Sequence, residues 1–155
     1  RGLFRVPELG TSPKTRGGAI TRAAVNIADQ LDVKYIADFT QSGDTARRLA
    51  RLRPVKPVLA MTPKPEVRAF LSLLWGVEAV LAPAANDTDE MTAVVDRYML
   101  ANNLAEANDL IVMAAGSPPG VAGSTNTVKV HRVGDLDDAG AVLPEDRESV
   151  GPIHD

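Results

Sequence analysis

The chain of 155 residues has no cysteine and only two histidines, His131 and His154. Disulfides and thiolate metal sites are therefore excluded, and the distance between the two histidines along the sequence disfavours a zinc site. Aromatic residues make up 4% of the chain, and no apolar run approaches the roughly 20 residues of a membrane-spanning helix. We expect a soluble, cytoplasmic domain that binds neither a metal ion nor a membrane.

The net charge of −3 hides an uneven distribution of the two signs. Residues 1–134 hold sixteen basic and thirteen acidic residues, whereas residues 135–155 hold one basic and seven acidic residues. The body is not basic enough to predict nucleic-acid binding. The tail has few large apolar side chains, so we expect residues 135–155 to be a mobile extension that folding does not require. Docking of this tail on the basic helix around Arg47 and Arg51 is the alternative.

Hydrophobic spacing predicts alternating helices and strands. Strands are predicted at residues 34–39, 58–61, 77–81, 109–114 and 127–133. A helix precedes each of the first four strands, which is typical of an α/β layered fold with a mainly parallel sheet. The fifth strand follows the fourth after a loop that is too short for a helical crossover, so it is expected to run antiparallel.

The same spacing predicts which face of each helix is buried. The inward residues are expected to be Ile20, Ala24, Ile27 and Leu31 in the first helix, Val67, Phe70, Leu71 and Leu74 in the third, and Met91, Val94, Val95, Tyr98 and Met99 in the fourth. Asp87, with Glu90 three residues later, predicts a capping box at the start of the fourth helix. Gly76 is expected to end the third helix in a left-handed conformation.

A polar turn follows the first predicted strand. It consists of Thr40, Gln41, Ser42, Gly43, Asp44 and Thr45. A helix that begins near Gly43 would direct unpaired backbone N–H groups, and the positive end of its dipole, into this turn. Three hydroxyl groups would surround the same point, which predicts an anion, such as a phosphate, as the ligand. The same residue types also serve simply to cap helices, and that alternative stays open.

Three segments of the sequence resemble a known family. They are Phe39-Thr-Gln-Ser-Gly-Asp-Thr-Ala46, then Arg51-Leu-Arg-Pro54 with Pro57 and Thr62, and finally Gly116 to Gly120 followed by Ser124-Thr-Asn-Thr127. They resemble the carboxyl-terminal domain of pyruvate kinase, in register over roughly residues 14–133. The resemblance implies a three-layer α/β/α domain with a five-stranded mixed sheet whose last strand is antiparallel. It also implies that this domain binds allosteric effectors and helps to form a tetramer.

In that family a separate barrel domain transfers phosphate from phosphoenolpyruvate to ADP. The barrel's catalytic lysine and its Mg and K sites have no counterpart in this chain, so the resemblance implies no catalytic residue and no cofactor for this domain. Residues 1–15, broken by Pro7, Gly10 and Pro13, are expected to be the remnant of the linker to the barrel, and residues 16–134 to form the domain. We expect the isolated chain not to form pyruvate.

The resemblance also assigns the effector pocket by position. The turn at residues 40–45 is expected to hold a phosphate, and a loop is expected to close over the sugar. That loop consists of Ser117, Pro118, Pro119, Gly120, Val121, Ala122 and Gly123. Asp38 and Asp44 depart from the family pattern, and residues 83–91 lack the tryptophan and arginine that eukaryotic relatives use on a second phosphate. A monophosphate, either a hexose phosphate or a nucleotide such as AMP, is therefore the expected effector.

Three functions remain as alternatives at this point. The first is the allosteric and assembly domain of a pyruvate kinase, and the second is a free-standing module that binds a phosphate ligand. The third, a nucleotide-dependent enzyme of Rossmann type, is the weakest because no G-x-G-x-x-G follows the first strand.

Overall fold

The computed structural model describes residues 16–116 and 125–135, which form four helices and five strands. The elements are α1 (Arg16–Leu31), β1 (Tyr35–Phe39), α2 (Asp44–Arg51), β2 (Val58–Thr62), α3 (Pro65–Leu71), β3 (Val77–Leu81), α4 (Thr88–Ala101), β4 (Leu110–Gly116) and β5 (Thr125–Arg132). Each predicted strand agrees with the observed one to within two residues at either end.

The five strands form one sheet in the order β3-β2-β1-β4-β5. The first four strands are parallel, and β5 pairs with β4 in the antiparallel direction, which confirms the predicted mixed sheet. All five residues of β2 are buried, and so are the middle three of β1. Strands that are buried on both faces read as continuous apolar runs, which is why the sequence marks them clearly.

Helices cover both faces of the sheet and give the expected three layers. On one face, α4 packs through Met91, Val95 and Met99 against Leu59 and Ile111. On the other face lie the remaining three helices. Ala24 and Ala28 of α1 pack on Ile36, Val58 and Val112, while Ala46 of α2 and both Val67 and Leu71 of α3 pack on Ala60.

Chain order in the sheet reverses beside β1. The path from β1 through β2 to β3 moves toward one edge, and α4 then returns across the opposite face to place β4 on the other side of β1. Ligands of open α/β sheets bind where such a reversal occurs, outside the carboxyl ends of the strands. The fold therefore predicts a ligand site at the carboxyl ends of β1 and β4.

Two predicted helix faces differ from the observed ones. In α1 the buried residues are Gly17, Thr21, Ala24 and Ala28, whereas Leu31 is 45% exposed. The small residues bring α1 close to the sheet, and the Thr21 hydroxyl donates to the Gly18 carbonyl at 2.9 Å, so a polar side chain can be buried there. In α3, Phe70 is 38% exposed, whereas Val67 and Leu71 are buried as predicted. Leu74 lies beyond the end of the helix at Leu71 but is partly buried against the same cluster.

The beginning of α4 matches the prediction, whereas the end of α3 does not. The Asp87 carboxylate accepts from the Glu90 amide at 2.8 Å, and the Glu90 carboxylate accepts from the Asn86 amide at 2.7 Å. Gly76 has the expected left-handed conformation, with a φ of +77°. However, α3 already ends at Leu71 with Ser72 as its right-handed C-cap, so Gly76 lies in the turn before β3 and does not end the helix. Among the described helices, none is both long enough and apolar enough to cross a membrane.

A buried polar pair joins α4 to β5 and was missed by the hydrophobic pattern. Both carboxylate oxygens of Asp96 lie 2.9 and 3.0 Å from Nε2 of His131, and the Gly134 amide donates to Asp96 at 2.8 Å. Asp96 and His131 are 2% and 4% exposed. The pair therefore holds the last strand and the turn after it against α4.

Replacing Asp96 by alanine should be costly, since it leaves His131 and the Gly134 amide without their shared partner. We expect the free energy of unfolding to fall by about 3–5 kcal/mol, the usual cost of breaking a buried pair. Urea denaturation measures this loss. The matched control is Asp29→Ala on the exposed side of α1, with an expected change below about 0.5 kcal/mol. Equal stability of the two variants would contradict the structural role of Asp96.

Candidate functional site

The predicted site lies at the reversal point of the sheet. β1 and β4 are parallel neighbours, with Asp38 opposite Ala114, so the segments that follow these two strands leave from the same edge. The turn after β1, residues 40–45, is called the β1–α2 turn below. The loop of residues 117–123 follows β4 but lies outside the described residues, so its role in closing over a sugar stays a prediction.

The β1–α2 turn is organised by its hydroxyl groups. The Thr40 amide donates to the Met61 carbonyl at 2.9 Å, which extends the pairing of β1 with β2 by one residue. The Thr40 hydroxyl oxygen accepts from the Gly43 amide at 2.7 Å, and the Ser42 hydroxyl oxygen accepts from the Asp44 amide at 3.2 Å. A hydroxyl that accepts one hydrogen bond still has its own O–H to donate. Thr40 and Ser42 can therefore each donate to an anion without breaking these contacts.

This arrangement corrects part of the prediction for the backbone. The Gly43 and Asp44 amides were expected to point at the ligand unpaired, but the two hydroxyls already satisfy them. The capping function and an anion-binding function are thus both compatible with the same turn. Ser42 is exposed, Gln41 is partly exposed, and Thr40 and Thr45 are each 6% exposed. Ser42 is the hydroxyl that a ligand from solvent would meet first.

Gly43 is required by two independent constraints. Its φ of +89° is in the left-handed region, which costs other residues about 1–2 kcal/mol. A Cβ at this position would also lie 3.2 Å from Cδ2 and Cε2 of Phe70 and 3.4 Å from Cδ2 of Leu71. The half-exposed Phe70 ring therefore packs against the backbone of the turn, so that α3 holds one side of the turn in place.

The charge of Asp44 is balanced within α2. Its carboxylate lies 3.0 Å from Nη2 of Arg47, and both side chains are about half exposed. An acidic residue in the first turn of a helix is favoured by the dipole. The pairing with Arg47 reduces the repulsion that Asp44 would exert on an anion in the turn.

Asp38 is a buried carboxyl group beside the site. It lies on β1 between Ala60 of β2 and Ala114 of β4, is 1% exposed, and has no hydrogen-bond partner among the described residues. Burial raises the pKa of Asp38 well above its ordinary value of 3.8, because a charged carboxylate is poorly solvated there. The neutral form is therefore favoured, and a neutral Asp38 does not repel an anion at the turn.

Replacing Gly43 by alanine should destabilise the domain through both constraints. Gly76→Ala is a matched control, since Gly76 also has a positive φ but an added Cβ there meets no atom within 4 Å. We expect Gly76→Ala to lose about 1–2 kcal/mol of unfolding free energy for its backbone alone, and Gly43→Ala to lose more. Chemical denaturation of the two variants measures the difference. Equal losses would mean that the Phe70 contact contributes nothing.

Replacing Asp38 by alanine should stabilise the domain at neutral pH. The folded state holds the Asp38 proton at pH values where the unfolded state has lost it, so stability falls as pH rises from the ordinary value of 3.8 toward the raised pKa. Removal of a buried group that has no partner in the described part of the chain should add about 1–3 kcal/mol to the free energy of unfolding and flatten its pH dependence.

Thermal or urea unfolding of the parent and of Asp38→Ala across about pH 4–8 tests this sign. The exposed Asp29→Ala variant serves as the control, and its profile should run parallel to that of the parent. Parallel profiles for Asp38→Ala and the parent would contradict the assignment of a neutral Asp38.

Other chemistry is sparse in the described part of the chain. Within residues 16–116 and 125–135 there is no group of three or more His, Cys, Asp or Glu side chains placed to hold a metal ion. The features that remain are the hydroxyl groups, the glycine and the helix start of the β1–α2 turn. They define a class of domain, a doubly wound α/β fold with an anion-compatible turn at the carboxyl edge of its sheet.

Comparison with known proteins assigns the family. The family model described as "Pyruvate kinase, alpha/beta domain" matches residues 18–131. The chain therefore belongs to the pyruvate kinase alpha/beta domain family, as its three signature segments indicated.

Its relatives are much longer proteins. The pyruvate kinases of Corynebacterium efficiens and Mycobacterium tuberculosis are each 47% identical over 131 residues, which is 84% of this chain and 28% of each relative. The pyruvate kinase of Geobacillus stearothermophilus is 40% identical over 125 residues, 81% of this chain and 21% of that protein. The chain spans less than a third of the length of these relatives.

Proposed function

We propose that this chain is the effector-binding and assembly domain of a pyruvate kinase. The parent enzyme would transfer phosphate from phosphoenolpyruvate to ADP in the cytoplasm, as part of glycolysis and as a tetramer. Its barrel domain would supply the catalytic residues with Mg and K. The membership of the pyruvate kinase family, over 84% of the chain, is the observation that supports this proposal.

The effector would bind through one phosphate at the β1–α2 turn. Thr40, Ser42 and Thr45 would provide hydroxyl donors, and the positive end of the α2 dipole would favour a dianion at the same point. The raised pKa of Asp38, which favours its neutral form, and the pairing of Asp44 with Arg47 support this proposal, because both lower the repulsion expected from two acidic residues near the turn.

A sugar monophosphate or a nucleotide monophosphate is the proposed class of effector. Residues 83–91 contain no arginine, lysine or tryptophan, so this segment provides no cation for a second phosphate. The loop of residues 117–123 would contact the rest of the ligand. A free-standing module that binds the same ligands without catalysis is the second candidate, and the coding sequence upstream of Arg1 distinguishes the two.

Removal of the hydroxyl groups should weaken phosphate binding. Each hydrogen bond to a charged acceptor contributes about 1.5–3 kcal/mol, so Ser42→Ala with Thr45→Ala should lower the affinity for glucose 6-phosphate or AMP by tenfold or more. Titration calorimetry measures the affinity, with fructose 1,6-bisphosphate as a third ligand. Ser42→Ala alone, at the exposed hydroxyl, separates loss of binding from any loss of folding.

Ser72→Ala is the matched control, because the exposed Ser72 hydroxyl donates to the Ala69 carbonyl of its own helix at 2.7 Å. It should bind as the parent does. If the double variant also binds as the parent does, or if NMR shifts of residues 40–46 do not respond to any of the three ligands, the turn only caps α2.

A further inference from the structure

An apolar groove lies at the edge of the sheet opposite the β1–α2 turn. It has a volume of about 190 Å³ and is lined by Pro54, Val55, Pro57 and Trp75, with Lys56 among its walls. We call it the Trp75 groove. Val55 and Trp75 are 82% and 69% exposed, which is unusual for large apolar side chains that lie side by side.

The surroundings of the groove are basic. Arg51, Arg53 and Lys56 lie in the segment that leads from the end of α2 into the wall of the groove, and no acidic residue stands between Thr45 and Pro65. The Arg53 guanidinium stacks over the Trp75 ring, 4.7 Å from the ring centroid. The Nζ atom of Lys56 lies 2.8 Å from a carboxylate oxygen of Asp32, an exposed acidic residue. A ligand for this surface would therefore combine apolar side chains with negative charge.

The chain itself contains a segment of that chemistry. Residues 136–155 hold six acidic residues and one basic residue, together with the apolar side chains Val142, Leu143, Val150 and Ile153. We propose that this acidic tail docks in the Trp75 groove of its own chain, its carboxylates against the basic rim and its apolar side chains against Trp75.

The topology places the start of the tail at the same edge of the sheet as the groove. β5 ends at Arg132, opposite Leu110 at the start of β4, so the chain leaves β5 at the amino edge of the parallel strands. Pro57 precedes β2 at that edge, and the Val58 amide donates to the Gly76 carbonyl there at 3.1 Å. Three strand spacings of about 4.8 Å separate β5 from β2, roughly 14 Å.

The tail is long enough for this path. Twenty extended residues span up to about 66 Å, several times the distance across the strands. The Asp96 contact with the Gly134 amide holds the point from which the tail departs. A short, anchored tether raises the effective concentration of the tail at the groove, so that a weak contact can be occupied.

Two other occupants fit the charges less well. Residues 1–15 hold three basic residues and one acidic residue, the same sign as the rim of the groove. The helix α1 ends at Leu31, just before β1 begins, so its first residue, Arg16, lies toward the carboxyl edge of the sheet, opposite the groove. A second copy of the chain that pairs groove to groove would place like charges against each other.

Trp75 is the only tryptophan of the chain, so its fluorescence reports directly on the groove. The full chain is compared with a chain that ends at Asp135, using acrylamide, a neutral quencher. A docked tail covers one face of the indole ring, and we expect the quenching constant of the full chain to be about half that of the truncated chain. In about 1 M salt, where the Debye length is near 3 Å, the difference should vanish.

Charge variants of the full chain provide the matched comparison. Glu145→Gln, Asp146→Asn and Glu148→Gln together should raise quenching to the level of the truncated chain. The control variant Asp29→Asn, Asp89→Asn and Glu106→Gln makes the same change in net charge on exposed sites of the body, and it should quench as the parent does. Circular dichroism verifies that every variant is folded.

Equal quenching of the full and truncated chains at low salt would overturn the proposal and leave the tail mobile, as the sequence alone suggests. Protection that increases with protein concentration would also overturn it, since the tail would then occupy the groove of a second copy. Protection that is independent of concentration, lost at high salt and lost in the tail variant supports docking within one chain.

Discussion

The burial of β1 between two parallel neighbours is the constraint on which the rest of the structure depends. Its central residues are covered by helices on both faces, so each side chain must fit a space set by β2, β4 and the helices above. Alanines at positions 37, 60 and 114 keep this centre narrow. Because the side chains are small, the layers approach closely, and a polar group placed between them is costly.

Asp38 occupies this centre without a hydrogen-bond partner in residues 16–116 and 125–135, which is an expensive arrangement for a carboxyl group. The raised pKa limits the cost, because burial favours the neutral acid over the carboxylate. Asp96 differs from Asp38 in its contacts. That carboxylate is equally buried, but it contacts His131 and the Gly134 amide. One acid therefore lowers the stability of the sheet centre, whereas the other fastens the last strand to α4.

The two edges of the sheet carry different chemistry. At the carboxyl edge, Gly43 is held against Phe70 while hydroxyl groups of the turn satisfy the first amides of α2. This rigid arrangement suits a small anion, because little rearrangement is needed on binding. At the amino edge, Trp75 and Val55 present an apolar surface with Arg53 and Lys56 beside it. Such a surface suits a flexible acidic segment and not a small ligand. Binding at one edge therefore need not compete with binding at the other.

The sequence by itself determined the order of the elements, the antiparallel fifth strand, the cap at Asp87 and the family, because these depend on local spacing and on short motifs. Only the tertiary structure decided which face of α1 is buried, that Phe70 supports Gly43, and that Asp96 meets His131 from 35 residues away. These contacts join residues that are distant along the chain, and the hydrophobic period of one helix carries no information about the partner it packs against. The position of the β1–α2 turn at the reversal point of the sheet likewise required the strand order, which the alternation of helices and strands leaves open.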